Sequence, residues 1–126
     1  MIWPNVRFRI NNNLIEQNFG EWEGQLFSKI PSIGYLNNSN LFKYKPPLGE
    51  SHSQLSIRVK SAINDIVKKS KRKSSLVIAH AGTIRSAISL TLKPNWECLN
   101  YKIDNLSITR IKIESNGNLV LINHNK

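Results

Sequence analysis

His80 is the residue of this 126-residue sequence whose position most strongly suggests chemistry. It directly follows a continuous apolar run, residues 76–79, and precedes a segment with helical spacing of apolar residues. Open α/β folds bind ligands at such junctions, where strand ends meet helix starts. Free amides near Ala81 and Gly82 are predicted to favour an anion, and phosphate is the natural candidate. The alternative is a histidine that only hydrogen-bonds within its loop.

Glu16 is the second candidate, because acids, aromatic residues and glycines are interleaved over residues 14–24. A carboxyl beside apolar rings can be held partly out of water, which suits a general acid. Acids on a protein surface are more often fully solvated. Taken alone, this segment is therefore weak evidence for catalysis.

The elements that must position these two residues follow an α/β order. Ser51 and Gln54 form a capping-box signal, and apolar residues then recur at helical spacing to about residue 71. Residues 76–79 are predicted to form a strand covered on both faces, as in a parallel sheet, and residues 83–92 a second helix. The predicted order is helix, buried strand, tight loop, helix.

The flanking regions carry weaker signals. Residues 6–10 alternate as in a short strand, and residues 25–30 could form a short helix before Pro31. Asn116 and Gly117 lie between two apolar runs, which predicts a hairpin. No linker or repeat divides the chain, so residues 1–126 are predicted to form one domain.

The formal charge of +10 is the unusual bulk property. A basic surface attracts nucleic acid, anionic membranes or small phosphorylated ligands, and the sign alone does not choose among them. Much of the excess lies in residues 68–73, where cations offset the negative end of the helix dipole. A basic noncatalytic module, with nucleic acid as its ligand, stays open as the alternative but is disfavoured, since no aromatic residues interleave with the basic run.

Other function classes are disfavoured by composition. The single cysteine, Cys98, excludes an internal disulfide and fits an inert thiol. No Cys/His spacing suggests a metal site, and no cofactor is expected. Arg7 and Arg9 interrupt the apolar residues of the N-terminus, so neither a signal peptide nor a membrane span is predicted, and a cytoplasmic location follows by default.

Four ordered segments resemble the histidine phosphatase (phosphoglycerate mutase-like) superfamily, nearest to bacterial α-ribazole phosphatase-type members. Residues 14–24 resemble its L-x-E-x-x-F-G-x-W-E-G stretch, and residues 46–51 with Arg58 resemble its P-P-G-G-E-S helix entry and following arginine. Residues 77–85 resemble the strand and loop that bear the second active-site histidine, and residues 105–111 resemble the N-x-S-I-T-R-I start of the last hairpin. Ala81 and Leu48 depart from the family, which usually has glycine at both positions.

The resemblance implies a phosphomonoesterase that acts through a phosphohistidine. Glu16 falls on the proton donor and acceptor, and His80 on the histidine that stabilises charge on the phosphoryl group in flight. Ala81 and Gly82 are expected to face the phosphate or substrate, which would be a phosphorylated small molecule. Arg58 is expected to bind the substrate or to have a structural role. The implied fold is a three-layer αβα domain with a mainly parallel sheet and a C-terminal β-hairpin.

One family signature is not in this sequence. The R-H-G segment, whose histidine attacks phosphorus, has no counterpart before Glu16, and the other two histidines, His52 and His124, match no nucleophile. Phosphohistidine chemistry needs that group in line with the breaking bond. The chain is therefore expected to be a partial domain that lacks the N-terminal strand and helices. It would be inactive alone, and either be completed by an upstream-encoded N-terminal half or be a decayed remnant.

Overall fold

The computed structural model describes residues 4–71 and 73–126. Three α-helices and two strands follow one another within these residues, namely α1 (Asn38–Lys43), α2 (His52–Ser70), α3 (Ala81–Ser89), β1 (Arg110–Ile113) and β2 (Leu119–Asn123). Short 3-10 helices occur at Asn12–Leu14, Gly20–Trp22, Phe27–Lys29 and Asn95–Asn100. None of the helices in the described ranges has the length and apolar character needed to cross a membrane.

Helix α2 begins as its sequence predicts. The Ser51 side chain accepts a hydrogen bond from the Gln54 amide (3.1 Å), and the Gln54 side chain accepts one from the Ser51 amide (2.9 Å). This capping box satisfies amides that the first helical turn would otherwise leave free. The helix ends at Ser70, and Lys71 adopts a left-handed conformation.

Helix α3 packs against α2 and connects it to the small core. Leu55, Val59 and Ala62 of α2 are fully buried. Ile88 of α3 forms the centre of a second cluster, together with Phe42 and Cys98. Burial raises the pKa of the Cys98 thiol to about 12, which leaves it protonated and unreactive at neutral pH. The α2–α3 pair is thus the scaffold on which the loops before α2 and α3 are mounted.

The predicted hairpin is confirmed. Strands β1 and β2 pair antiparallel, with Ile111 opposite Leu121 and Ile113 opposite Leu119. Gly117 supplies the positive φ of the turn (φ +86°), which a side chain would disfavour. This turn chemistry is local, which is why the sequence alone located the hairpin.

Two predicted strands do not form in the described structure. Residues 76–79 were expected to be buried on both faces, yet they form neither helix nor strand, and Leu76 and Ile78 are 76% and 79% exposed. Residues 6–10 are likewise without a strand. A strand exists only through hydrogen bonds to a neighbour, and no described segment pairs with either one. The sheet in the described residues is the two-stranded hairpin, and the parallel sheet is not seen there.

Two helix predictions need smaller corrections. The second predicted helix starts two residues earlier than residue 83, at Ala81, and its last regular residue is Ser89. The helix expected over residues 25–30 is a single 3-10 turn, Phe27–Lys29. Pro31 stands just beyond this turn, where a longer helix would have to continue.

Candidate functional site

The carboxylate of Glu16 lies at the N-terminus of α3. One of its oxygens accepts a hydrogen bond from the Gly82 amide (3.0 Å), and the other accepts one from the Gln17 amide (2.8 Å). His80 is the N-cap residue of the same helix, with an extended backbone and an exposed side chain. The structure therefore brings Glu16 to the helix start that His80 precedes. The anion held by the Gly82 amide is Glu16 itself, and the predicted phosphate contact of Ala81 and Gly82 stays a prediction.

Gly82 leaves room for the close approach of the Glu16 carboxylate. A β-carbon at position 82 would collide with the Glu16 carboxylate. We expect Gly82→Ala to lower the free energy of unfolding by about 1–2 kcal/mol in urea titrations, although alanine is the better helix former. The matched control is Gly34→Ala, because a β-carbon there meets nothing within 4 Å. Equal effects at the two positions would contradict the proposed close packing.

Arg58 fixes the Glu16 segment to helix α2. Its guanidinium donates to both oxygens of the Glu50 carboxylate, at 3.1 and 2.6 Å. It also donates to three backbone carbonyls, those of Asn13 (3.0 Å), Ile15 (2.9 Å) and Glu16 (2.9 Å). These five bonds match the five N–H groups of a guanidinium. In this structure Arg58 thus holds the Glu16 backbone, and its predicted contact with phosphate stays a prediction.

Glu50 links the same group to the neighbouring loop. Its carboxylate accepts a hydrogen bond from the Asn18 amide (2.9 Å) as well as those from Arg58. Burial raises the pKa of Glu50, but the hydrogen bonds from Arg58 and Asn18 lower it more, so the net shift is downward. Glu50 therefore remains an anion that clamps the Asn18 loop to the start of α2.

Thr83 ties the Glu16 segment to α3. Its hydroxyl, on a side chain that is 2% exposed, donates to the Ile15 carbonyl at 3.0 Å. The backbone on the N-terminal side of Glu16 is thus bound by Arg58 from α2 and by Thr83 from α3. A carboxylate held this way loses little freedom when it acts, which favours catalysis by positioning.

Two motif loops lie backbone to backbone beside the site. The Glu21 amide donates to the Pro47 carbonyl (3.0 Å), and the Glu50 amide donates to the Asn18 carbonyl (2.8 Å). A β-carbon on Gly20 would collide with the Pro47 carbonyl, and one on Gly49 would come within 2.6 Å of the Asn18 carbonyl. Glycine is needed at both positions because no side chain fits between the loops.

Leu48, in the second of these loops, adopts a backbone conformation that is unfavourable for a residue with a side chain. Its φ is +58°, a left-handed conformation that disfavours a β-carbon, and its side chain is 81% exposed. We expect Leu48→Gly to raise the free energy of unfolding by about 0.5–1 kcal/mol, because relief of this strain exceeds the entropy that glycine adds to the unfolded chain. Leu26→Gly, at a 68% exposed position with φ −65°, should instead lower it. A loss of stability in both variants would show that the backbone at position 48 is unstrained.

His52 joins the two helices under the site. It is 5% exposed, and its Nε2 lies 3.2 Å from the hydroxyl of Ser86, which is fully buried. Burial, together with the positive charge of Arg85, lowers the pKa of His52 to about 4, against the opposing charges of Glu16 and Glu50. His52 is therefore a neutral structural residue at physiological pH.

This burial predicts an acid-sensitive fold. A histidine has an ordinary pKa of 6.5 when unfolded but about 4 in this structure, so the unfolded chain binds the proton more readily. We expect stability present above pH 6.5 to fall by about 2–3 kcal/mol as the pH drops to 4. The double variant His52→Leu, Ser86→Ala removes both polar partners and should lose this part of the slope in urea titrations between pH 7.5 and 4.5. An unchanged slope would assign the acid sensitivity to other groups.

An apolar cavity of about 180 Å³ adjoins the site through Gln17. Trp22 and Tyr44 line it with their rings stacked at a centroid separation of 5.6 Å. Phe19, Pro46 and His52 also contribute to its wall. Within residues 4–71 and 73–126, no group of three or more His, Cys, Asp or Glu side chains is arranged to hold a metal ion.

Sequence reasoning named Glu16, His80, Gly82 and Arg58 but did not predict the contacts that hold the Glu16 segment, and it missed Thr83. The positioning roles of Arg58 and Thr83 depend on contacts with backbone carbonyls, which leave no trace in a sequence pattern. A β-hydroxyl in the first turn of the helix after His80 was the one available signal for Thr83. The buried Ser86–His52 pair gave no signal, because His52 reads as part of a helix start.

The comparisons with known proteins identify the family of this chain. Residues 4–125 match the profile of the histidine phosphatase superfamily (branch 1). The chain is 34% identical over 120 residues to a Hydrogenobacter thermophilus protein named "Putative phosphoserine phosphatase 2". The match covers 90% of this chain and 59% of that relative, so the chain spans about three fifths of the relative's length. Because the family profile covers nearly every residue, this chain belongs to the histidine phosphatase superfamily.

Proposed function

We propose that this chain supplies the proton-transferring carboxyl and the second histidine of a phosphomonoesterase that works through a phosphohistidine. The observation that carries the proposal is the Glu16 carboxylate, 3.0 Å from the Gly82 amide at the start of the helix that His80 precedes. The family membership supports the same chemistry. The nucleophilic histidine would come from a segment outside these 126 residues, so these residues alone would be inactive.

The proposed reaction has two balanced steps. The external histidine attacks phosphorus, the P–O bond to the alcohol breaks, an N–P bond forms, and protonated Glu16 gives its proton to the leaving oxygen. Glu16, now a carboxylate, then takes a proton from water as that water attacks phosphorus. The N–P bond breaks, and inorganic phosphate leaves. His80 and the α3 amides would stabilise the charge on the phosphoryl oxygens in both steps.

The three histidines of this chain all have other contacts or roles. This supports a nucleophile from outside these 126 residues. All three lie in the described residues. His52 is buried against Ser86, and His124 packs edge-on against Tyr101 with ring centroids 5.0 Å apart. His80 is the family's charge-stabilising histidine by position. None of the three is thus left for the attacking role.

The cavity lined by Gln17, the residue after Glu16, suggests the substrate class. Its wall is apolar and aromatic, which favours a phosphate ester of an alcohol that bears an apolar or aromatic group. This suits the α-ribazole phosphatase-type resemblance better than the amino and carboxyl groups of phosphoserine, named for the Hydrogenobacter relative. A preference for p-nitrophenyl phosphate over phosphoserine would support the assignment.

A full-length chimera tests the proposed function. The part of the Hydrogenobacter relative outside the matched stretch is fused to this chain, in the order in which the relative carries it. We expect the chimera to fold with the parallel sheet of the family, hydrolyse p-nitrophenyl phosphate and form an acid-labile phosphoenzyme. The 126-residue chain alone should neither hydrolyse p-nitrophenyl phosphate nor form a phosphoenzyme. A folded chimera without hydrolysis would point to a remnant.

A noncatalytic basic module is the second candidate, and the +10 charge is the observation that favours it. Its test is the salt dependence of binding to duplex DNA by the 126-residue chain. A steep slope of several phosphates, together with an inactive chimera, would replace the phosphatase proposal.

A further inference from the structure

One ring nitrogen of His52 has no protein partner and borders the apolar cavity. His52 is 5% exposed and forms part of the cavity wall, and its Nε2 lies 3.2 Å from the Ser86 hydroxyl. Its Nδ1 makes no hydrogen bond to any residue in the ranges 4–71 and 73–126. Within those ranges the side-chain atom that is both unpartnered and fully enclosed is Thr109 Oγ1, so Nδ1 retains access to open space. The open space that His52 lines is the cavity.

The Ser86 hydroxyl determines which ring nitrogen of His52 carries the proton. Ser86 is fully buried, and its hydroxyl meets no other acceptor in the part of the chain that the structure describes. Because a buried hydroxyl proton needs an acceptor, Ser86 donates to Nε2. A neutral imidazole that accepts at Nε2 carries its proton on Nδ1. His52 therefore presents an N–H donor to the cavity.

This donor lies beside the candidate site. Gln17, the residue after Glu16, lines the same cavity. Burial lowers the pKa of the His52 imidazole, and the nearby Glu16 charge opposes that shift. The stacked rings of Trp22 and Tyr44 form another part of the wall. A ligand in the cavity would thus meet an aromatic surface and the Nδ1–H group, next to the carboxyl that is proposed to transfer the proton.

We propose that His52 is a specificity-determining residue, whose Nδ1–H binds a hydrogen-bond acceptor on an aromatic ring of the substrate's alcohol. The apolar wall favours the ring, and a carbonyl or ring nitrogen on it would satisfy the buried donor. A buried donor also disfavours an analogue without the acceptor, because the donor then stays unpaired. The link to a leaving alcohol rests on the proposed function, whereas the binding of such a group does not.

The test compares 4-acetylbenzyl alcohol with 4-isopropylbenzyl alcohol, which are nearly equal in shape and differ in the carbonyl acceptor. NMR titrations of the 126-residue chain give a dissociation constant for each alcohol. We expect the double variant His52→Leu, Ser86→Ala to reduce the preference for the acetyl compound, relative to wild type, by roughly fivefold to tenfold. The loss of both polar partners together leaves no buried hydroxyl unpaired, so the fold is kept.

A matched variant separates the donor from the shape of the side chain. Asparagine is nearly isosteric with leucine but carries an amide N–H group. His52→Asn, Ser86→Ala should therefore recover part of the preference that His52→Leu, Ser86→Ala loses. Nitrogen-15 NMR of the wild-type chain should show the His52 proton on Nδ1. A proton on Nε2 would overturn the donor assignment.

The remaining outcomes distinguish this inference from the proposed function. A preference that is the same in wild type and in His52→Leu, Ser86→Ala would overturn the role of His52. Binding of neither alcohol would overturn it too, and would leave the cavity to water. The full-length chimera is assayed with the phosphates of the same two alcohols. An active chimera whose kcat/KM ratio is unchanged by the double variant would keep the phosphatase and reject His52. An inactive chimera, with discrimination between the alcohols intact, would sink the proposed function and keep the His52 site.

Discussion

Replacing Glu16 with glutamine lowers the kcat of the full-length chimera for p-nitrophenyl phosphate by a factor of about 10²–10³, on the scale expected for a positioned general acid. Glutamine keeps the shape, and its one carbonyl oxygen can accept the Gly82 hydrogen bond at the loss of the one from the Gln17 amide of the adjacent residue, but it cannot transfer the proton. The fold should therefore change little while the chemistry stops. The phosphoenzyme should form and decay more slowly, because both proposed steps move a proton through this carboxyl.

Two controls test whether the effect of Glu16→Gln reflects the loss of a general acid. Glu21→Gln changes an exposed carboxyl in the same stretch of chain, and we expect less than a twofold effect on kcat. An alcohol with a low pKa, such as p-nitrophenol, needs less protonation on leaving than an alkyl alcohol. Glu16→Gln should therefore harm alkyl phosphates more. Equal losses for both substrates would assign Glu16 a positioning role and withdraw the general-acid assignment.

Local signals in the sequence predicted those elements that depend on local contacts. The Ser51–Gln54 capping box, the α2 stripe and the turn at Gly117 all depend on residues a few positions apart. Their boundaries agree with the structure to within one or two residues. The same holds for the start of α3, where His80 occupies the N-cap position and Ala81 is the first helical residue.

The predicted strand at residues 76–79 shows what such signals do not contain. Its composition fits a strand buried on both faces, but a strand also requires neighbours, and the described residues provide none. The sequence pattern reports which surface a segment prefers to bury. It does not report whether the same chain holds the surface that would cover it. Exposed Leu76 and Ile78 are the structural consequence.

In the candidate site, too, the sequence indicated some residues, whereas their contacts were visible only in the structure. Glu16 and His80 were identified because a resemblance places them, and the structure brings their segments together at the start of α3. The resemblance left Arg58 as either a substrate-binding or a structural residue. Its actual partners are one carboxylate and three carbonyls. The sequence does not show which backbone carbonyls a guanidinium will contact, because these contacts form only in the folded chain.

The Arg58→Met variant is expected to lose about 3 kcal/mol of unfolding free energy. Methionine retains part of the apolar stem, so the loss measures the five hydrogen bonds rather than packing. The Glu50 carboxylate, whose side chain is only 18% exposed, would lose its cation. The removal of one partner from a partly buried pair is the costly case, because the remaining charge stays desolvated.

Urea titrations of the 126-residue chain measure this loss, and Lys60→Met is the matched control. Lys60 is an exposed cation on the same helix, and its replacement should cost less than about 0.5 kcal/mol. In a Glu50→Gln background, Arg58→Met should cost less than in the wild type by about 1–2 kcal/mol, which is the share of the ion pair. The remainder belongs to the carbonyls of Asn13, Ile15 and Glu16. If Arg58→Met costs no more than Lys60→Met, the guanidinium does not hold the Glu16 segment, and the carboxylate at the start of α3 must be positioned by Thr83 and Gly82.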